Sequence, residues 1–494
     1  MDQNDKEINP RDGHTVSPWQ HVVSSVSGAA RVTAGDVFDV IIVGAGITGL
    51  TTALLLQKAG KRCLVLEAGK VGFGTTGGTT AHLNTFFDAT YPEIESSFGV
   101  HAAKLVADSG KDAMALIAAL VNEYSIACDL EYKDGYLFSE NEKETGQLRK
   151  ILEASRKAGI VVEAADSNDV PVPFEMAIRF GHQGQFHPLK YINGLAAAFQ
   201  RLGGAILEDC FVKEHRKVDS GLELVADNRT FWAEQLVYAT HVPPGITAFS
   251  FRCAPYRSYV LGLRLKDETD YPTGLAYDMQ EPYHYFRTHV VNGERLLIVG
   301  GEDHKTGHDD PEQAFANLEK YVRQYYRVES VVYRWSSQYY VPVDGLPYIG
   351  RLAASEGDIY IATGFNGNGM TFGTISGKVI SDQLLGIENR YSDLYAPSRL
   401  KPVAGFTEFV KENADVAWHF VADRFGTEGM DRLSALKNGE GKVVEFKGEK
   451  LAVYKDQQGG VTALNPVCTH AGCIVNFNAA EQSWDCPCHG GRFD

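Results

Sequence analysis

The stretch from Val37 to Glu67 leaves the chain little choice of fold. Val37-Phe38-Asp39-Val40-Ile41-Ile42-Val43 is short, branched and nearly all apolar. That is the pattern of a strand buried on both faces of a parallel sheet. It runs directly into Gly44-Ala45-Gly46-Ile47-Thr48-Gly49. A helix is expected from there to Ala59, with Leu50, Ala53, Leu54 and Gln57 at helical spacing and Gly60 as its stop. Arg62-Cys63-Leu64-Val65-Leu66 reads as the next strand and ends at Glu67, completing a βαβ unit. In this unit Gly44 permits the tight turn, Gly46 lets the backbone approach a pyrophosphate, and Gly49 lets the helix pack closely on the sheet. The helix start, at Ile47 and Thr48, offers N–H groups and a positive dipole end to the phosphates. Glu67, eighteen residues after Gly49, places a carboxylate for the ribose hydroxyls. Strand, helix and acid in place raise the motif above a chance glycine cluster.

The dinucleotide is NAD or FAD, and two later segments favour FAD. Gly72-Phe73-Gly74-Thr75-Thr76-Gly77-Gly78-Thr79-Thr80 is a run of small residues suited to contacts along an extended diphosphate. Ile359-Tyr360-Ile361-Ala362-Thr363 reads as a strand, followed by Gly364-Phe365-Asn366-Gly367-Asn368-Gly369-Met370-Thr371 and a helical stretch. Amides at such a helix start can stabilise the negative charge that a reduced flavin carries at its pyrimidine edge.

Between these segments the pattern changes. Residues 101–124 and 311–326 read as amphipathic helices. Short alternating runs such as Leu222-Glu223-Leu224-Val225 and Gln235-Leu236-Val237-Tyr238-Ala239-Thr240, and a strand at 294–300, suggest returns to the first sheet and a second, antiparallel layer. Tyr283, His284, Tyr285 and Arg287 fall on one expected strand, where Tyr283, Tyr285 and Arg287 would share a face. Arg287 is then either a binding group for an anion or an exposed arginine on packed sheet. His82, just after the threonine run, is either near the flavin or structural.

Residues 37–395 resemble the D-amino-acid-oxidase/glycine-oxidase-like family of FAD-dependent oxidoreductases. The resemblance rests on the βαβ unit, the Gly/Thr run, Val343-Asp344-Gly345-Leu346-Pro347-Tyr348-Ile349-Gly350 and the Ala362-to-Thr371 loop. It implies an α/β Rossmann-like FAD domain (parts near 37–100, 186–245 and 341–395). It also implies an inserted antiparallel-sheet substrate domain (parts near 101–185 and 246–340). The implied FAD contacts are Gly44, Gly46, Ile47, Thr48, Gly49, Glu67, Gly74, Thr75, Thr79, Thr80, His82, Val212, Ala239, Thr240, Gly364, Gly367, Asn368, Gly369, Met370 and Thr371. Tyr283, Tyr285 and Arg287 are the catalytic candidates. Ala239-Thr240-His241 resembles the family's Ala-Thr-Gly turn with His241 in place of the glycine. The segment Trp335-Ser336-Ser337-Gln338-Tyr339-Tyr340 lacks the arginine that many relatives use for a substrate carboxylate, and no cysteine is placed to tether the flavin.

Farther along, Cys468-Thr469-His470 is followed after fifteen residues by Cys486-Pro487-Cys488-His489. Two thiolates and two imidazoles are the ligand set of a Rieske [2Fe–2S] centre, with Cys468, His470, Cys486 and His489 as ligands. The same atoms also suit tetrahedral zinc. Residues 410–494 resemble the Rieske domain, a small all-β unit. In that family the positions of Cys473 and Cys488 often form a disulfide. Respiratory Rieske centres carry a serine and a tyrosine where this chain has Gly491 and Phe493. Fewer donors to the cluster sulfurs imply a lower potential. The chain stops five residues after His489, so a Rieske domain incomplete at its C-terminus is expected. Residues 396–409, with Pro397, Pro402 and Gly405, are the expected linker, and residues 1–36 a flexible arm.

The formal net charge of -16 argues against a nucleic-acid partner. No apolar run spans a membrane and no secretory h-region is present, so a cytoplasmic location is expected, with peripheral membrane contact left open. The functional expectation is hydride transfer from a C–N bond of an amine or amino acid to flavin, with electrons relayed singly through the cluster to an external acceptor or donor protein. The alternatives are an oxygen-using oxidase with a structural or redox-sensing cluster, and a non-enzymatic redox-responsive binding protein.

Overall fold

A computed structural model of the chain describes residues 14–20, 32–33, 35–219, 221–245, 247–353, 357–399, 428–429, 436–446, 449–469 and 472–493. The Val37–Val43 strand sits inside an eight-stranded sheet. It is flanked by Cys63–Leu66 and Ala205–Leu207 on one side and by Arg229–Tyr238 and Asp358–Thr363 on the other, all parallel. Tyr348–Arg351 closes one edge antiparallel. Alternation along the strands explains how the sheet is covered. Val40, Ile42, Val65 and Val237 join one core, which includes the helices Ile47–Lys58, Pro188–Arg201 and Gly369–Leu384. Ile41, Val43, Leu64, Leu66 and Leu236 face the opposite core.

The second layer is a nine-stranded sheet in the order Val328–Pro342, Cys253–Leu265, Glu294–Lys305, Tyr285–Val291, Leu275–Tyr277, Glu131–Ser139, Met176–Gln185 and His82–Leu83, with Val162–Ala165 also on Met176–Gln185. It is antiparallel throughout except where Leu275–Tyr277 runs parallel to Glu131–Ser139. The helix Val100–Tyr124 buries Ala103, Val106, Ala107, Met114 and Ile117 in the core of the first sheet's helices. It therefore packs with the dinucleotide-binding half, not with the substrate layer to which its position assigned it. Conversely, His82–Leu83 pairs with Met176–Gln185 in the second sheet. The strand expected at 283–287 begins at Tyr285. The His284 backbone N–H instead donates to the Asp278 carboxylate at 2.7 Å, which takes it out of the ladder.

Residues 14–20 do not behave as the expected flexible arm. Trp19 is fully buried and its indole N–H donates to the Thr79 carbonyl at 2.7 Å, while the Ser17 hydroxyl donates to the Gly77 carbonyl. The first part of the expected linker is also fixed, because Arg399 donates to both oxygens of Asp344 and stacks 3.9 Å over the Tyr348 ring. Residues 400–409 and 410–427 lie outside the described residues.

The C-terminal part forms two small sheets. One holds Glu428–Gly429, Glu440–Phe446, Glu449–Lys455 and Val461–Leu464; the other holds Asn476–Asn478, Ser483–Asp485 and Arg492–Phe493. It docks on the nine-stranded sheet through buried Arg257. The guanidinium donates to the Ser336 hydroxyl at 2.6 Å and lies 3.8 Å from Glu481 and 3.6 Å from Asp485. Ser336 also donates to Glu481, whose carboxylate takes the Thr15 hydroxyl and N–H as well. Burial pushes the Arg257 pKa down. For Asp485, burial is outweighed by Arg492 and Arg257, and its pKa falls. Removing one partner strands buried charge, a loss of roughly 3–5 kcal/mol. Arg257→Met should therefore lower the melting midpoint followed by visible circular dichroism of the C-terminal chromophore. A melt superimposable on the wild type would show that the pair contributes nothing.

Candidate active site and cluster loops

One cavity of about 1410 Å³ runs between the two sheets and reaches the C-terminal loops. At its first end are Gly44, Gly46, Ile47, Thr48 and Glu67. The Cβ test shows why glycine is required there. A Cβ on Gly44, whose φ is +103, would lie 2.5 Å from the Ala239 carbonyl oxygen, and one on Gly46 would lie 2.9 Å from Thr76 Oγ1. Gly49 does not line the cavity. A Cβ there would lie 1.9 Å from the Gly44 oxygen, so it holds the helix against the turn. Glu67 Oε2 accepts the Ala45 N–H at 2.7 Å and Oε1 accepts that of Gly69 at 2.9 Å, fixing the carboxylate at the turn. The helix that begins at Ile47 has no side-chain cap bond at Gly46, leaving a donor-rich, open terminus that fits a diphosphate.

Gly74, Thr75, Thr79, Thr80, His82, Val212, Ala239, Thr240, Gly367, Asn368, Gly369 and Met370 also line the cavity. Besides Gly49, two further expected contacts do not. Gly364 has φ +75 and packs near Pro342 and Cys253. Thr371 is buried, with its hydroxyl donating to the Asn84 carbonyl. Thr76, unremarked in the sequence except as part of the threonine run, accepts the Ile47 N–H. His241 holds the left-handed conformation at φ +69 that suits the glycine it replaces. The Thr363 hydroxyl donates to its carbonyl, and its ring meets Tyr340 edge-on at 4.7 Å.

The middle of the cavity is lined by Tyr283 and Tyr285, with ring centroids 5.7 Å apart. Arg287 is fully buried and is not a lining residue. Its guanidinium donates to the Thr80 and Ala81 carbonyls and faces His289 Nδ1 at 2.6 Å. It is thus neither the exposed arginine nor the anion-binding group considered from the sequence; it braces the threonine run. His82 lies beside Tyr277 and Tyr285, with Nδ1 at 3.0 Å from the Thr80 hydroxyl. Burial, helped by Arg287, pushes its pKa down to about 3, so it is neutral. Asp88, Ser258, Asp303 and Tyr339 also line this region and belong to no motif. Only their meeting in space brings them out. Asp303 Oδ2 accepts the Tyr339 hydroxyl at 2.8 Å.

From the C-terminal part the lining includes Thr469, His489, Gly490, Gly491, Arg492 and Phe493. Tyr340 Oη donates to the His489 carbonyl at 3.4 Å, and Gln338 Nε2 donates to the Gly490 carbonyl at 3.1 Å. The Phe251 ring meets the His489 imidazole edge-on at 5.6 Å. Cys468 and Cys486 are both buried. A hydrogen bond to Cys468, together with burial, pushes the Cys486 thiol up, while backbone N–H groups of Cys488 and His489 pull it down. Two adjacent buried thiols with amides aimed at sulfur fit a site whose iron would hold both as thiolates. Cys473 and Cys488 form a disulfide, S–S 2.11 Å. This removes them from the metal-ligand pool, although their sulfurs lie near that of Cys486. His470 lies outside the described residues.

Two measurements follow. Gly49→Ala forces the turn open and should weaken FAD retention roughly tenfold or more, about 1.4 kcal/mol, in a dialysis assay; full retention would contradict the packing role. Burial, opposed by bonds from Ser258 and Tyr339, raises the Asp303 pKa from 3.8 to about 7. Between these values the folded chain binds more protons at Asp303 than the unfolded chain, so this group's stability contribution falls as pH rises. The thermal advantage of Asp303→Asn over wild type should therefore grow from pH 4 to pH 7, and a pH-independent difference would count against it.

The family model described as FAD dependent oxidoreductase matches residues 39–383, and the model of the Rieske [2Fe-2S] domain matches 430–494. The chain is 33% identical over 458 residues to "Putative Rieske 2Fe-2S iron-sulfur protein YhfW" of Bacillus subtilis (strain 168), covering 92% of this chain and 89% of that one. It is 25% identical over 371 residues to gamma-glutamylputrescine oxidoreductase of Escherichia coli (strain K12), covering 72% and 85%. The fold is similar to the crystal structure of glycine oxidase from Geobacillus kaustophilus, with TM-score 0.62, 21% identity and coverage of 74% and 99%. No helix among the described residues is long and apolar enough to cross a membrane. A tightly packed glycine turn at a helix N-terminus, and two buried thiols in the C-terminal loops, agree with these matches. The chain belongs to the FAD-dependent oxidoreductase family and carries a C-terminal Rieske domain, and its cofactors are FAD and a [2Fe-2S] cluster.

Proposed function

We propose that the protein oxidises a C–N bond of an amine or amino acid and delivers the electrons, one at a time, to an external one-electron acceptor. The observation that carries this reading is that one cavity is lined by both the Gly44–Glu67 turn and the His489 loop. The turn and loop residues that line it would hold FAD, and Cys468, His470, Cys486 and His489 would hold the cluster. Bound FAD supplies a two-electron acceptor, and the cluster a one-electron carrier.

The substrate C–H bond breaks with its electron pair, the nitrogen loses a proton, and water hydrolyses the resulting imine to a carbonyl compound and an amine or ammonia. The chain's residues arrange this. Tyr283 and Tyr285 wall the reacting region. Asp303, with a pKa of about 7 and an Oδ1 without a hydrogen-bond partner among the described residues, would take the released proton. Tyr340 and Gln338 keep the His489 loop against the cavity.

Anaerobic addition of a substrate amine should bleach the flavin and then produce the electron paramagnetic signal of a reduced cluster. A fully bleached flavin beside a cluster that stays oxidised would overturn the relay and favour an oxidase that uses oxygen. The cluster potential is expected well below about +300 mV, the top of the Rieske range. A Cβ on Gly491 would lie 3.5 Å from Cys468 Sγ, in ordinary contact. Gly491→Ser thus has room for a hydroxyl beside that sulfur and should raise the potential in a redox titration; an unchanged or lower value would refute the donor argument.

A further inference from the structure

We propose that the substrate is an amine cation with no carboxylate beside its nitrogen, recognised by Asp88, Asp303 and the tyrosines Tyr283, Tyr285 and Tyr339. This rests on the reading of the cavity as a C–N oxidising site and specifies its substrate.

The two carboxylates act on the same tyrosines, Tyr283 and Tyr285. Asp88 Oδ2 accepts the Gly367 N–H at 2.7 Å. A Cβ on Gly367 would lie 3.0 Å from Asp88 Oδ2 and 3.3 Å from the Tyr283 hydroxyl, so carboxylate, phenol and glycine loop meet at one point. Asp88 is exposed although protein surrounds it, because its surface is cavity wall. Asp303 accepts from Tyr339, and the Ser258 hydroxyl pairs with Tyr285 Oη at 2.9 Å. Asp303 Oδ1 is buried without a hydrogen-bond partner among the described residues. A buried, half-satisfied carboxylate is costly unless a donor or cation completes it.

The cations on the cavity wall are elsewhere or committed. Arg492 donates to Asp485 and Ser483. Lys213 follows Val212 on the strand Val212–Val218, and Lys150 is exposed on the helix Glu142–Lys157. The buried arginine nearest in sequence to the tyrosines, Arg287, is bound to backbone carbonyls. A carboxylate brought to the tyrosines meets two acidic side chains and no guanidinium. An ammonium favours the ionised form of both acids and meets the negative faces of aromatic rings.

The test is ligand binding to the oxidised holo-protein, read as a flavin absorption difference spectrum. Cumylamine has no hydrogen on the carbon beside nitrogen, so it cannot be oxidised. The isosteric α,α-dimethylphenylacetate presents the opposite charge. Cumylamine should saturate at a concentration at least tenfold lower than the carboxylate. Asp88→Asn and Asp303→Asn, checked for wild-type FAD content, should each weaken cumylamine binding about tenfold or more. Equal or tighter carboxylate binding in the wild type, no cumylamine binding, or unchanged affinity in both variants overturns the proposal. None of these readings depends on reduction of the cluster, so failure of the relay would leave this result standing, and the reverse.

Discussion

Arg257 is where the two halves of the molecule become one. It lies in the nine-stranded sheet, fully buried, facing Glu481 and Asp485 of the C-terminal part. A buried cation of this kind is tolerated only because both carboxylates and Ser336 are in place. The same carboxylates gather Thr15 from the N-terminal segment and Arg492, Asn478 and Ser483 from the cluster loops' own sheet. Separation of the halves would expose or strand several charges at once. The cluster loops are therefore docked on the cavity wall.

The strand Val328–Pro342 converts that docking into site geometry. Successive side chains serve different neighbours, as the two-residue period of a strand requires. Ser336 meets the Arg257 network, Gln338 and Tyr340 hold the His489 loop, and Tyr339 reaches Asp303. The segment where a substrate-binding arginine was expected by resemblance is thus occupied by residues that join domains. The segment without that arginine and the contacts to the His489 loop lie on one strand.

The sequence carried the parts whose chemistry is local. The turn at Gly44 needs glycine because any side chain strikes the Ala239 carbonyl, and the βαβ pattern around it was legible for the same reason. The cysteine pairing at Cys473 and Cys488 followed from family resemblance, and the structure contains that disulfide. Arg287 was misread because period-2 alternation gives a face, not a partner; its fate depends on Thr80 and Ala81, which reach it from another strand region. Trp19 was misread because a polar arm gives no sign of the pocket formed by Leu189, Val260, Ile298 and Trp335. Gly364 sits in a recognised loop, yet the loop's path turns it toward Pro342.

By itself the sequence determined the two cofactor-binding signatures, because each depends on residues a few positions apart whose spacing alone sets the geometry of a turn or a ligand loop. Tertiary structure decided what those signatures face. Asp88, Asp303 and the tyrosines come from separated strands and loops, and His489 comes from another domain. Their approach depends on long-range packing and on a buried ionic contact that no local pattern encodes.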